Sequence, residues 1–196
     1  MRIRAILALM MAVTLTACGL NSVPTAEENA KARWADVQTN YQRRADLIPN
    51  LVNTVKAAAQ AERGTLTDVM NARSRATSVQ ISADDLTDPA KVQQYQAAQS
   101  QLGGSLSRLL ATVESYPQLQ SQQAFQTLMH DIEGSENRIA ISIRDYNEAV
   151  RKYNTTIRTF PDAIGAKVFY GAKPMVPFQA KAGAENAPTV NFGNMN

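Results

Sequence analysis

Apolar residues recur at alternating intervals of three and four along three stretches of this 196-residue chain, and that spacing constrains the fold more than any other feature. The first seam runs Trp34, Val37, Tyr41, Arg44, Ile48, Leu51, Val55, Ala58, Glu62, Thr65, Val69, Ala72 and Ala76. A second carries Val92, Tyr95, Gln99, Leu102, Leu106, Leu109, Val113 and Tyr116. The third holds Phe125, Leu128, Ile132, Ser135, Ile139, Ile143, Tyr146, Val150, Tyr153, Ile157 and Phe160. A half-buried strand would alternate every second residue, whereas this spacing puts each seam on one face of a helix. Long seams with short connections predict an all-α fold, an elongated antiparallel bundle of three to four long helices. Few aromatic residues, 6%, and abundant alanine and glutamine favour the same class over a sheet.

Local signals set the boundaries. Thr25 followed by Glu28 fits a capping box, so the first helix is expected to begin near Ala26. The register is unchanged across Pro49, which predicts one helix kinked there, about 65 Å long from Trp34 to Ala76. Turn and cap residues over 78–89 form the first break, with Asp88-Pro89 placed to open the next helix. Gly103-Gly104 in that helix either admits a close neighbour or weakens it. Pro117 ends it, and Pro161 closes the third seam. The expected domains are a signal peptide at 1–17, a modified terminus and spacer at 18–28, the bundle at 29–161, and an extended or disordered tail at 162–196.

The N-terminus indicates a compartment. Met1-Arg2-Ile3-Arg4 is basic, 5–13 is apolar but too short to span a bilayer, and Leu15-Thr16-Ala17-Cys18 follows. Those four residues resemble the lipobox of bacterial lipoproteins, in which the cysteine is acylated and becomes the first mature residue. Cys18 is the only cysteine, so no disulfide forms within the chain, and lipid attachment gives its thiol a role. Two or more acyl chains make such anchoring stable, and the membrane is thereby an expected partner. Gly19 in the second mature position, in place of aspartate, favours the periplasmic face of the outer membrane over the outer face of the cytoplasmic membrane. Arg2 and Arg4 fall within the signal, and removing them from the 20 basic residues facing 17 acidic ones leaves a net charge of +1. So balanced a charge does not predict nucleic acid as a partner.

Further residues resemble the LemA family. They are the run 41–56, Tyr116-Pro117, Glu136-Asn137-Arg138-Ile139-Ala140, Arg144-Asp145-Tyr146-Asn147, Tyr153-Asn154, Phe160-Pro161, Lys173-Pro174, Pro177-Phe178 and Pro188-Thr189-Val190-Asn191-Phe192. The resemblance covers about 31–192 and implies a bacterial, membrane-attached, extracytoplasmic helical bundle without an established activity. Two departures stand out. A lipobox-like signal takes the place of the uncleaved transmembrane helix of many members, and Ala172 follows Gly171 where an aromatic residue is common.

Catalytic signatures are weak. His130, Asp131 and Glu133 lack the second histidine of a zinc helix, and no serine elbow or phosphate loop occurs, so neither catalytic residues, a metal nor a cofactor is expected. Arg44, Glu62 and Ser135 occupy seam positions, and a buried charge needs a partner, for Arg44 either Glu136 or Asp145. Such residues fix register, face outward at a kink, or serve a ligand. Arg43, Arg44, Asp46, Asn50, Asn53, Glu136, Arg144 and Asn147, with Asn154, are the candidate partner or ligand contacts. Tyr146, Tyr153 and Phe160 read as core. The expected function is a lipid-anchored scaffold or adaptor with an envelope protein as partner. The alternatives are a periplasmic hydrolase using Glu133 and Glu136, or a module binding a small anion near Arg43, Arg44 and Arg144.

Overall fold

A computed structural model describes residues 21–179, and all regular structure among them is helical, as the seams predict. Cys18, the rest of the signal region and residues 180–196 lie outside the described part. Helix α1 spans Ser22–Ala58, α2 Arg63–Ser78, α3 Pro89–Val113, α4 Pro117–Gln120, α5 Gln123–Thr156 and α6 Asp162–Gly165. Tight turns of 3-10 helix cover Gln60–Glu62 and Asp84–Thr87, and a π-helical turn covers Ala166–Tyr170.

The first seam folds into two helices, which corrects the expected single helix to Ala76. Ala59, at φ −126° and ψ 64°, leaves the helical region, and the chain reverses through the 3-10 turn. Around the reversal the seam offers only Glu62 and Thr65, whereas Leu66, Val69, Ala72 and Ala76 gain burial by folding back onto Ile48, Leu51 and Val55. Pro49 does not interrupt α1. It removes one amide donor, the partner of the carbonyl four residues back, and Arg73 Nε of α2 donates to that carbonyl of Ala45 at 2.7 Å.

α1 also starts earlier than the capping box predicts, within the expected spacer. Pro24 is accommodated because amides of the first turn need no helical acceptor. Thr25 Oγ1 donates to the Asn21 carbonyl at 2.6 Å and does not cap. Asp88 does cap α3, its Oδ1 accepting from the amides of Ala90 and Lys91 at 2.9 and 3.4 Å, with Pro89 at the first helical position. In the loop before it, Asp85 accepts from the amide and hydroxyl of Ser82 and from Lys91.

α1 and α5 run in opposite senses: Ser22 meets Asp162, Trp34 meets Tyr146, and Arg44 meets Glu136. α2 packs on α1 and α3. The interior divides into two apolar clusters. One joins Trp34, Val37, Leu86, Tyr95, Tyr146 and Tyr153 with Met175 and Phe178, and the other joins Ile48, Leu51, Val69, Leu102, Leu109, Leu119 and Ile132. Arg44 and Gln99 are buried at the level between them.

The described part of the tail expected to be extended or disordered, residues 162–179, divides in two. Residues 162–170 form helical turns closed by Gly171, whose φ of 55° suits glycine, with its amide and that of Ala172 both directed at the Ala166 carbonyl. Residues 171–179 are extended and packed along the bundle. Phe178 enters the aromatic cluster, its ring centroid 5.7 Å from that of Trp34 and 6.0 Å from that of Tyr146. Phe160, expected in the core, is instead exposed, since α5 ends at Thr156 and the seam no longer dictates direction beyond it.

Candidate functional site

Helical spacing puts Arg44 on the buried face of α1 between Tyr41 and Ile48, where it is 3% exposed. Its Nη1 donates to Glu136 Oε1 at 2.9 Å, selecting Glu136 over Asp145 as the partner. Nη2 donates to the backbone oxygen and Oε1 of Gln99 at 3.2 and 3.0 Å, and Gln99 Nε2 donates to the Ala76 carbonyl at 3.1 Å. One network therefore ties α1, α2, α3 and α5 together at the junction of the two clusters. The guanidinium carbon also stands 5.0 Å from the Tyr41 ring centroid, and part of its charge is met by the ring face. Burial pushes the Tyr41 hydroxyl up to about 12, with Arg44 opposing and Glu136 adding to the rise.

Glu136 is the outer end of this network, its side chain 45% exposed against 4% for that of Arg44. It opens on a groove of about 1090 Å³ between α3 and α5, floored by Tyr41 and Arg44 of α1. Leu110, Met129 and Ile143 stand half-buried in the groove, and Glu133 and Arg144 are exposed at its rim. Gln96 Nε2, also in the lining, is buried without a hydrogen-bond partner, as is Arg44 Nε.

The remaining expected residues do not converge. Arg43 and Asp46 line a separate groove of about 680 Å³ between α1 and α2, where Asp46 accepts from Gln42 at 2.7 Å. Asn50 and Asn53 are exposed on α1 away from both grooves. Arg144 pairs with Asp145 at 3.2 Å. Asn147 lines the α3/α5 groove, but its amide is committed to the chain itself: Nδ2 donates to the Phe178 carbonyl at 3.0 Å and Oδ1 accepts from the Phe178 amide at 2.8 Å. Asn154 holds Met175 in the same way, at 2.8 and 2.9 Å. Glu62, a polar seam residue, accepts from the Tyr116 hydroxyl at 2.9 Å and ties the reversal to the end of α3.

Gln99 and Gln96 are the site residues that sequence reasoning passes over. Gln99 carries a usable signal, an amide on a seam otherwise built of apolar residues. His130 is exposed, and no group of three or more histidine, cysteine or carboxylate side chains is placed to hold a metal among the described residues. No described helix is long and apolar enough to cross a membrane.

Two named relatives share much of this chain. Magnetosome protein MamQ of Magnetospirillum gryphiswaldense is 25% identical over 173 residues, covering 80% of this chain and 64% of that protein. Magnetosome protein MamQ 2 of Paramagnetospirillum magneticum is 27% identical over 157 residues, covering 72% and 58%. The chain thus spans about three fifths of the length of these curated relatives. The sequence pattern of the LemA family matches residues 33–192, a span that takes in most of both apolar clusters, the Arg44 network and the clamped segment after α6, and the chain belongs to that family.

Proposed function

We propose that this chain is a lipid-anchored, non-catalytic scaffold of the bacterial envelope, tethered through Cys18 and taking an amphipathic helix of a partner protein into the groove between α3 and α5. The observation that carries the reading is the groove itself. Its α5 wall runs from Met129 to Asn147, about 27 Å at 1.5 Å per residue, which accommodates five turns of a helix. Half-buried apolar side chains within, with opposite charges from Glu133 and Arg144 at the rim, suit an amphipathic helix whose flanking charges are reversed. Gln96 Nε2 adds a donor for a polar side chain of that helix.

The polar groups that a hydrolase or anion site would use do not converge on one free site. Glu136 receives Arg44, and Arg43 and Arg144 line different grooves. With Gly19 following Cys18, the proposed address of the scaffold is the periplasmic face of the outer membrane.

A photocrosslinking amino acid at Ser107 or Ala140, both exposed in the groove, tests the reading in living cells. Both positions should capture the same envelope protein, while Asp68 and Asn71 on the outer face of α2 should not. Capture from neither groove position, or equally from all four, refutes the groove. Labelled palmitate should enter the protein and be lost in Cys18→Ser; labelling that survives the substitution removes the anchor.

A further inference from the structure

Six large apolar side chains are exposed among the described residues, and five of them fall within residues 160–170. Phe160 is 82% exposed, Ile164 57%, Val168 67%, Phe169 68% and Tyr170 44%. Scattered apolar residues on a surface need no explanation, but a cluster of aromatic and branched side chains on one short segment does. The segment is well built: Ala163 and Ile164 donate their amides to the Thr159 and Pro161 carbonyls, and Gly171 closes the π-helical turn. Its apolar side chains are therefore held outward on an ordered tip.

The position of the tip identifies what covers it. Ser22 Oγ donates to Asp162 Oδ1 at 2.6 Å, so the tip stands beside the first turn of α1. Cys18 stands four positions before Ser22, a reach of at most about 14 Å. A bilayer holding acyl chains on Cys18 thus lies within reach of Phe160 and Phe169. Charge agrees with this placement. Between 157 and 179 the cations are Arg158, Lys167 and Lys173, all exposed, whereas the single carboxylate, Asp162, receives Ser22.

We infer that residues 160–170 form a membrane-contacting tip, whose apolar side chains enter the interfacial layer of an anionic bilayer while Arg158, Lys167 and Lys173 meet lipid phosphates. The inference rests on the Cys18 anchor proposed above. Together, lipid and tip make two attachments, which orient α1 and α5 away from the membrane instead of leaving the bundle to swing on a spacer.

The test uses the intact anchored protein in phosphatidylcholine vesicles containing about one third phosphatidylglycerol. Phe169→Trp places a reporter on the tip, Gln126→Trp places one at the opposite end of α5, and buried Trp34 supplies the common background. Lipids brominated on the upper acyl chain should reduce emission of the tip reporter at least about twofold and leave the Gln126→Trp protein unchanged. An unquenched tip in protein that stays with the vesicles through a carbonate wash overturns the inference and leaves the anchor standing. Quenching in protein that the wash removes supports the tip and overturns the anchor. Crosslinks between the tips of two copies, without quenching, assign the patch to self-association and overturn the inference.

Discussion

Arg73 Nε donates at 2.7 Å to the carbonyl of Ala45, the acceptor that Pro49 deprives of its helical partner. The proline and the reversal after Ala58 are therefore linked, because α2 must fold back for Arg73 to reach α1. Arg73→Met keeps the apolar stem but strands the carbonyl, and should cost about 1–3 kcal/mol. In a Pro49→Ala background the restored amide takes over, and the same change should cost less than about 0.5 kcal/mol. Urea unfolding of the four proteins decides it; equal costs in both backgrounds would break the link.

The Arg44 network predicts an asymmetric response. Arg44→Ala leaves Gln99 Oε1 without its donor in the interior and should cost about 3–5 kcal/mol. Glu136→Gln keeps an acceptor at the half-exposed end and should cost about 1 kcal/mol. Equal losses in denaturant midpoints would contradict the asymmetry.

Asn147 and Asn154 clamp the final extended segment by backbone mimicry. Asn154→Ala should speed hydrogen exchange at the Met175 amide about tenfold or more, and Asn147→Ala should do so at Phe178. Asparagine to aspartate at either position retains the acceptor, so exchange should rise less. Unchanged exchange in both alanine variants would mean that Phe178 packing alone holds the segment.

Stability should fall at both ends of the pH range. The Tyr41 hydroxyl rises from 10.0 to about 12 through burial, and burial raises Tyr95 and Tyr146 as well. Unfolded tyrosines ionise first, so the stability that Tyr41 supplies is complete below pH 10.0 and is lost as pH climbs through about 12, and that of Tyr95 and Tyr146 is lost at higher pH still. Lys91 and then Ser82 hold the Asp85 carboxyl down from 3.8 to about 2; its contribution is present above pH 3.8 and vanishes as pH drops through about 2. Phenolate absorbance rising together with loss of helical circular dichroism checks the alkaline limb. Ionisation of all six tyrosines near pH 10 in a protein that stays folded contradicts it.

Helical class, most core positions and a carboxylate partner for Arg44 are legible in the sequence because burial on one helix face is a local, repeating property. The reversal at 59–62 is not, since a helix that continues and a helix that folds back can show the same seam. Nor is the orientation of Phe160, which keeps the seam spacing after α5 has ended. The double clamp is legible only in retrospect: Asn147 and Asn154 lie about 10.5 Å apart along α5, close to the roughly 10 Å between Met175 and Phe178 in extended chain. Each is unremarkable alone, and their match is a relation between distant segments.

The pairing of α1 with α5 also sets an order in time. Arg44 and Glu136 are 92 residues apart and Ser22 and Asp162 are 140 apart, so α1 is the first of the described helices to be synthesised, and its side facing α5 is the last to be covered. Until α5 emerges, Trp34 and Val37 lack Tyr146, Val150 and Tyr153 of the cluster that buries them. The bundle therefore closes only once its far end has been made, and α1 waits with one side open until then.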